Sequence, residues 1–170
     1  MVSMGKSESK KIVLSKTSYS KIGEILIDLI KKTNAKVAIF ADIDGYPIVH
    51  RGNADDIQIS AITALAAGSF SATAEMAKML GEKERFQYLY HEGERANLYL
   101  CTVKEGYFII VAFDANVALG MIRIFTNLAI TKLNNMMEEL KIESKEAVEF
   151  LNNEFSSLLN EELNKSFNLD

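Results

Sequence analysis

Residues 55–80 form a helix-length segment whose middle is almost wholly small: Ser60, Ala61, Thr63, Ala64, Ala66, Ala67, Gly68, Ser69, Ser71, Ala72, Thr73 and Ala74. A helix of this make-up cannot fill a core with bulk. What small side chains permit is close approach to another backbone. Ala61, Ala64, Gly68 and Ala72 recur at i, i+3, i+7 and i+11, and Thr63, Ala67, Ser71 and Glu75 form an adjacent row. Burial against one sheet accounts for one small face, so the second implies contact with something else. The spacing predicts a helix over 55–80 that ends at Gly81, with Asp55 and Asp56 in its first turn, where carboxylates suit the dipole.

Around this segment the periodicities alternate. Ile22, Ile25, Leu26, Leu29 and Ile30 make an amphipathic helix that Ser18 or Ser20 is placed to cap and that Thr33-Asn34 ends. Residues 36–42 and 46–52 read as strands about Asp44-Gly45, a pair suited to the positive φ of a tight hairpin. Pro47, the single proline, belongs at a strand start or on an edge. Three more strands follow over 86–91, 97–103 and 107–114, joined by hairpin-length turns. The last contains FIIVAF, as apolar as a strand covered on both faces. A third helix covers 118–140, with Ile122, Phe125, Ala129, Leu133 and Met136 on one side. Beyond it, residues 144–165 carry Val148, Leu151, Phe155, Leu158 and Leu159 at helical spacing.

The fold class is therefore α/β of the α+β kind: a five-stranded antiparallel sheet sandwiched by helices, in the order α-β-β-α-β-β-β-α, plus a C-terminal helical extension. Three regions are expected. These are a flexible basic arm over 1–17, a core domain over 18–141, and an acidic amphipathic extension over 142–170. The charge is split between the ends: four lysines and one glutamate in 1–16, nine acids and three lysines in 138–170. The net charge of −4 carries no nucleic-acid footprint, and no run is long and apolar enough to span a membrane. No secretory leader is apparent, so the cytoplasm is the expected compartment.

Chemical motifs are weak. Gly5-Lys6-Ser7 resembles the end of a phosphate-binding loop but lacks its first glycine and a preceding strand. Asp42-Ile43-Asp44-Gly45 opens like a calcium loop but lacks the later ligands. With two histidines and one cysteine there is no metal set, and no metal or cofactor is expected. Cys101 is a small packed side chain in this reading, and Cys101 with His91 is the sharpest enzyme alternative. Arg51, Arg85, Arg95 and Arg123 read as solvated or salt-bridged. No residue is assigned a catalytic role.

Several segments resemble the roadblock family in order and spacing: Thr33-Asn34-Ala35, Asp42 with Asp44-Gly45-Tyr46-Pro47-Ile48, Leu65-Ala66-Ala67-Gly68, Met79-Leu80-Gly81-Glu82, His91-Glu92-Gly93, Leu98-Tyr99-Leu100, and Leu119-Gly120-Met121-Ile122-Arg123. The likeness spans about residues 20–140 and is strongest to the family's bacterial polarity and gliding regulators. It implies a homodimer in which the strand around Phe86, Gln87, Tyr88, Leu89 and Tyr90 pairs with its twin, with Ala61 in the same interface. It also implies a docking surface for one Ras-like small GTPase on the paired small-residue helices, at Thr63, Ala64, Ala67, Gly68, Ser71, Ala72 and Glu75. The regulator inserts no arginine and stimulates GTP hydrolysis by holding the GTPase's own residues in place. Leu151, Phe155, Leu158 and Leu159 are then placed for a second contact. A passive adaptor with the same fold is the alternative function.

Overall fold

The computed structural model describes residues 14–167, which leaves Gly5-Lys6-Ser7 and most of the basic arm outside the described residues. Contacts divide the chain into two units, one ending at Asn135 and the other beginning at Met136.

Helix α1 runs over Lys16–Thr33. Its cap is Ser15, not Ser18 or Ser20: the Ser15 Oγ accepts from the Ser18 N–H at 3.1 Å, and Ser18 lies buried inside the first turn. The helix ends as expected at Asn34, which takes the left-handed conformation (φ 57°) and donates its N–H to the Ile30 carbonyl. Ile22, Leu26 and Leu29 form its buried stripe.

Strands β1 (Val37–Asp42) and β2 (Pro47–Gly52) make the first hairpin. The loop is longer than a two-residue Asp-Gly turn. The Gly45 N–H bonds the Asp42 carbonyl, the Tyr46 N–H bonds the Asp42 carboxylate, and Gly45 supplies φ 93°. Helix α2 spans Ile59–Met79, four residues shorter at its start than the sequence predicts. Asn53 accepts the Asp55 N–H through its side chain, and Ile57 closes a turn on Ala54. That local turn captures Asp55 and Asp56 before the helix begins.

Strands β3 (Tyr88–His91), β4 (Ala96–Val103) and β5 (Tyr107–Asp114) complete a sheet of order β2-β1-β5-β4-β3, with every neighbouring pair antiparallel. Phe86 and Gln87 precede β3 and are not part of it, although the Gln87 carbonyl still accepts from the Thr102 N–H at 2.9 Å. Strand β1 sits inside the sheet, and Val37 to Ala41 are fully buried.

The register assigns each face. Leu89, Leu100, Ile110 and Ile39 are successive cross-strand partners, and this row packs beneath Ala66, Ala67 and Phe70 of α2. The alternate row, Tyr90, Tyr99, Val111 and Ala38, lies on the opposite face, the one that α1 covers over β1 and β2. Helix α3 begins at Leu119 on that same side: the Arg123 guanidinium lies 5.0 Å from the centre of the Tyr88 ring, and Lys132 reaches Asp28 of α1 at 3.2 Å.

Helix α3 is one element of 49 residues, Leu119–Phe167, rather than a helix and a separate amphipathic segment. No glycine or proline occurs after Gly120, so nothing in the sequence stops it. In the second unit its large apolar side chains, Val148, Leu151, Phe155, Leu158 and Leu159 among them, are exposed.

Candidate protein-interaction surface

Helix α2 is two-sided. Thr63, Ala66, Ala67, Phe70 and Ala77 are buried. Phe70 sets the phase by meeting Phe108 edge-on at 5.4 Å between ring centres. Two residues of the expected docking set, Thr63 and Ala67, therefore point inward and are not part of the chain's open surface. Ala64, Gly68, Ser71, Ala72 and Glu75 are exposed or half-exposed, as is Ala61. A β-carbon built on Gly68 meets nothing within 4 Å.

The outward face holds more apolar bulk than its small residues suggest. Leu65, Met76, Met79 and Leu80 are exposed, Met79 by 86%. Ala61, Leu65, Gly68, Ala72, Met76 and Met79 follow one another at steps of four and three, a single stripe down the helix. Sequence reasoning missed the large members, although the same spacing that selects Ala61, Gly68 and Ala72 passes through them. The hydroxyls of the helix turn back on its own carbonyls: Thr63 to Ile59 at 2.7 Å, Ser69 to Leu65 at 3.0 Å and Thr73 to Ser69 at 2.9 Å. These side chains are thus satisfied without an outside partner.

Beside this face lies an open sheet edge. Strand β3 pairs with β4 alone. Because Gln87 bonds β4, the antiparallel alternation turns the main-chain groups of Tyr88 and Tyr90 outward. Tyr88 and Gln87 are exposed, and Phe86, Leu89 and Tyr90 are half-buried. Tyr88 is fixed in place by its stack on Tyr99 at 5.8 Å and by Arg123, which donates to its hydroxyl at 3.3 Å. An edge of this kind is a template for another strand.

Chemistry of its own is absent from the arrangement. Cys101 faces Tyr88 across β3 and β4, whereas His91 faces Leu98 on the other side of the sheet, so the pair cannot act together. Burial pushes the Cys101 thiol up to about 11, the reverse of an activated nucleophile. Among the described residues no three His, Cys, Asp or Glu side chains cluster as a metal site, and no helix is long and apolar enough to cross a membrane.

An antiparallel five-stranded sheet between helices, with a small-residue helix and a free strand edge in place of a catalytic cluster, defines a roadblock-type binding module. The chain belongs to the Roadblock/LC7 domain family, whose model matches residues 21–113. Among solved structures it is similar to MglB of Myxococcus xanthus, at 30% identity over 75% of this chain and 96% of that one, with a TM-score of 0.70. The gliding protein MglB of Thermus thermophilus matches at 30% identity over 76% and 97%, with a TM-score of 0.71. An MglB with a tetrameric arrangement matches at 28% identity over 76% and 97%, with a TM-score of 0.72. No curated protein sequence matches the chain.

Proposed function

We propose that this protein is a non-enzymatic homodimeric regulator that binds a Ras-like small GTPase of the MglA type and stimulates its GTP hydrolysis. The likeness to MglB over nearly the whole of that protein supports the reading. The observation that carries it is the outward face of α2, flat at Gly68 and Ala72 and flanked by the β3 edge.

Pairing of two β3 edges joins the sheets and sets the two α2 helices side by side, which removes an exposed edge and covers part of the apolar stripe. The remaining surface, around Ala64, Gly68, Ser71, Ala72 and Glu75, has few rotamers to freeze. Alanine and glycine lose almost no side-chain entropy on docking, so the platform is rigid before the partner arrives. A rigid platform suits a regulator that holds a GTPase's mobile switch residues in their reactive arrangement and leaves the chemistry to them. The acidic, apolar helix beyond Met136 supplies a second anchor, which raises affinity through effective concentration. A cytoplasmic location follows from this role.

The test is single-turnover GTP hydrolysis by the GTPase encoded beside this protein, with and without the full chain. Acceleration is expected. Binding with an unchanged hydrolysis rate and unchanged nucleotide release would leave a passive adaptor instead.

A further inference from the structure

The outer face of α3 does not resemble an ordinary surface helix. Residues 118–131 hold a single charge, Arg123, and that guanidinium is turned onto Tyr88. The rest of the outward face is uncharged: Gly120, Met121, Ile124, Asn127, Leu128 and Thr131 are all exposed. Ile124 is 61% exposed, Leu128 52% and Met121 44%. Solvent-facing helices of globular proteins ordinarily carry charged residues there. This face lies across the sheet from α2 and outside the surface assigned to the GTPase.

Its geometry is self-complementary. Gly120, Ile124 and Leu128 stand at i, i+4 and i+8 on one ridge. A β-carbon on Gly120 would touch nothing within 4 Å, so the glycine is a notch one turn before Ile124, and Leu128 is a knob one turn after it. In an antiparallel contact centred on Ile124, a two-fold axis sets Leu128 of each copy against Gly120 of the other, and i±4 ridges interdigitate.

Charge argues for the same occupant. A two-fold contact places each residue near the axis against its own copy, so any ion there meets its like. The chain carries a net charge of −4, and this face is free of acids. A partner of different sequence would impose no such exclusion.

We propose that the Gly120–Ile124–Leu128 face of α3 is a second homotypic interface, which joins two dimers into a tetramer. The inference rests on the homodimer reading above for the other contact, since a closed tetramer needs two distinct interfaces. An MglB that is 28% identical to this chain has a tetrameric arrangement.

Sedimentation of the full chain from low to high micromolar concentration tests it. The wild type is expected to rise to the mass of four 19.0-kDa chains, and Ile124→Glu to stop at two, a halving of mass at the same concentration. Leu128→Gln should give the same split should Ile124→Glu prove poorly soluble. A wild type that never exceeds two chains, or variants that still reach four, overturns the proposal. GTP hydrolysis measured alongside reads the regulator function separately, and the Ile124→Glu dimer should stimulate as the wild type does.

Discussion

A β-carbon on Gly45 would lie 3.0 Å from the Cα of Ala64, so the turn of the first hairpin rests directly on the backbone of α2. Ala67 is the next neighbour, at 3.4 Å. The small residues of α2 thus answer to two demands. They admit the hairpin within the fold, and they leave a flat surface without.

Gly45→Ala should be strongly destabilising. The φ of 93° is a conformation that costs a non-glycine residue about 1–3 kcal/mol, and overpacking against Ala64 adds a similar amount. Thermal unfolding should show a fall of several degrees; an unchanged midpoint would mean that the turn does not press on α2.

Gly68 separates stability from binding. Gly68→Ala should stabilise the protein by about 0.5–1 kcal/mol, because the site is open and alanine favours the helix. Gly68→Arg should fold equally well yet abolish GTPase binding, since a long cation cannot sit in a backbone-close contact. Urea titration reads the first effect and a pull-down with the GTP-loaded partner the second. Unchanged affinity would move the docking surface elsewhere.

Thr126 is fully buried, and its hydroxyl has no hydrogen-bond partner. Thr126→Val keeps the shape and removes the unmet polar atom, so it should stabilise by about 1 kcal/mol. A loss of stability on denaturant unfolding would show that the hydroxyl is satisfied in solution.

Stability should fall at alkaline pH. Burial raises the Tyr99 hydroxyl from 10.0 to about 12 and the Cys101 thiol from 9.0 to about 11. Each group keeps its proton longer in the folded chain than in the unfolded one. The folded state therefore binds more protons between these values, and stability declines as pH rises. The contribution is complete below about pH 9 and is lost through pH 11 for Cys101 and pH 12 for Tyr99. Cys101→Val should flatten the earlier part of the decline, as followed by chemical unfolding at stepped pH.

Removal of residues 144–170 should weaken GTPase binding without altering the dimeric state. Size-exclusion with light scattering and a binding titration on the same sample would decide it. Dissociation of the dimer would make the extension a structural element instead.

Much of the fold was legible because its signals are local. Ile22, Leu26 and Leu29 announce α1 by spacing alone, and FIIVAF announces a doubly covered strand that proves wholly buried in β5. Asn34 stops α1 because asparagine tolerates the left-handed conformation. The misreadings arose where two local preferences compete. Asp55 and Asp56 suit a helix start, yet the Asn53 side chain draws the chain into a turn first. Ser18 suits a cap, yet Ser15 supplies the better-placed oxygen.

Periodicity, turn chemistry and the lack of bulk in residues 60–74 were enough to specify the elements, their order and a helix built for close contact. Which of its small residues face inward was decided only by tertiary packing. Alanine, serine, threonine and glycine differ too little in hydrophobicity to mark a face, so the phase of α2 awaited Phe70 finding Phe108. That one rotation buries Thr63 and Ala67 and leaves Leu65, Gly68, Ala72 and Met76 to the surface.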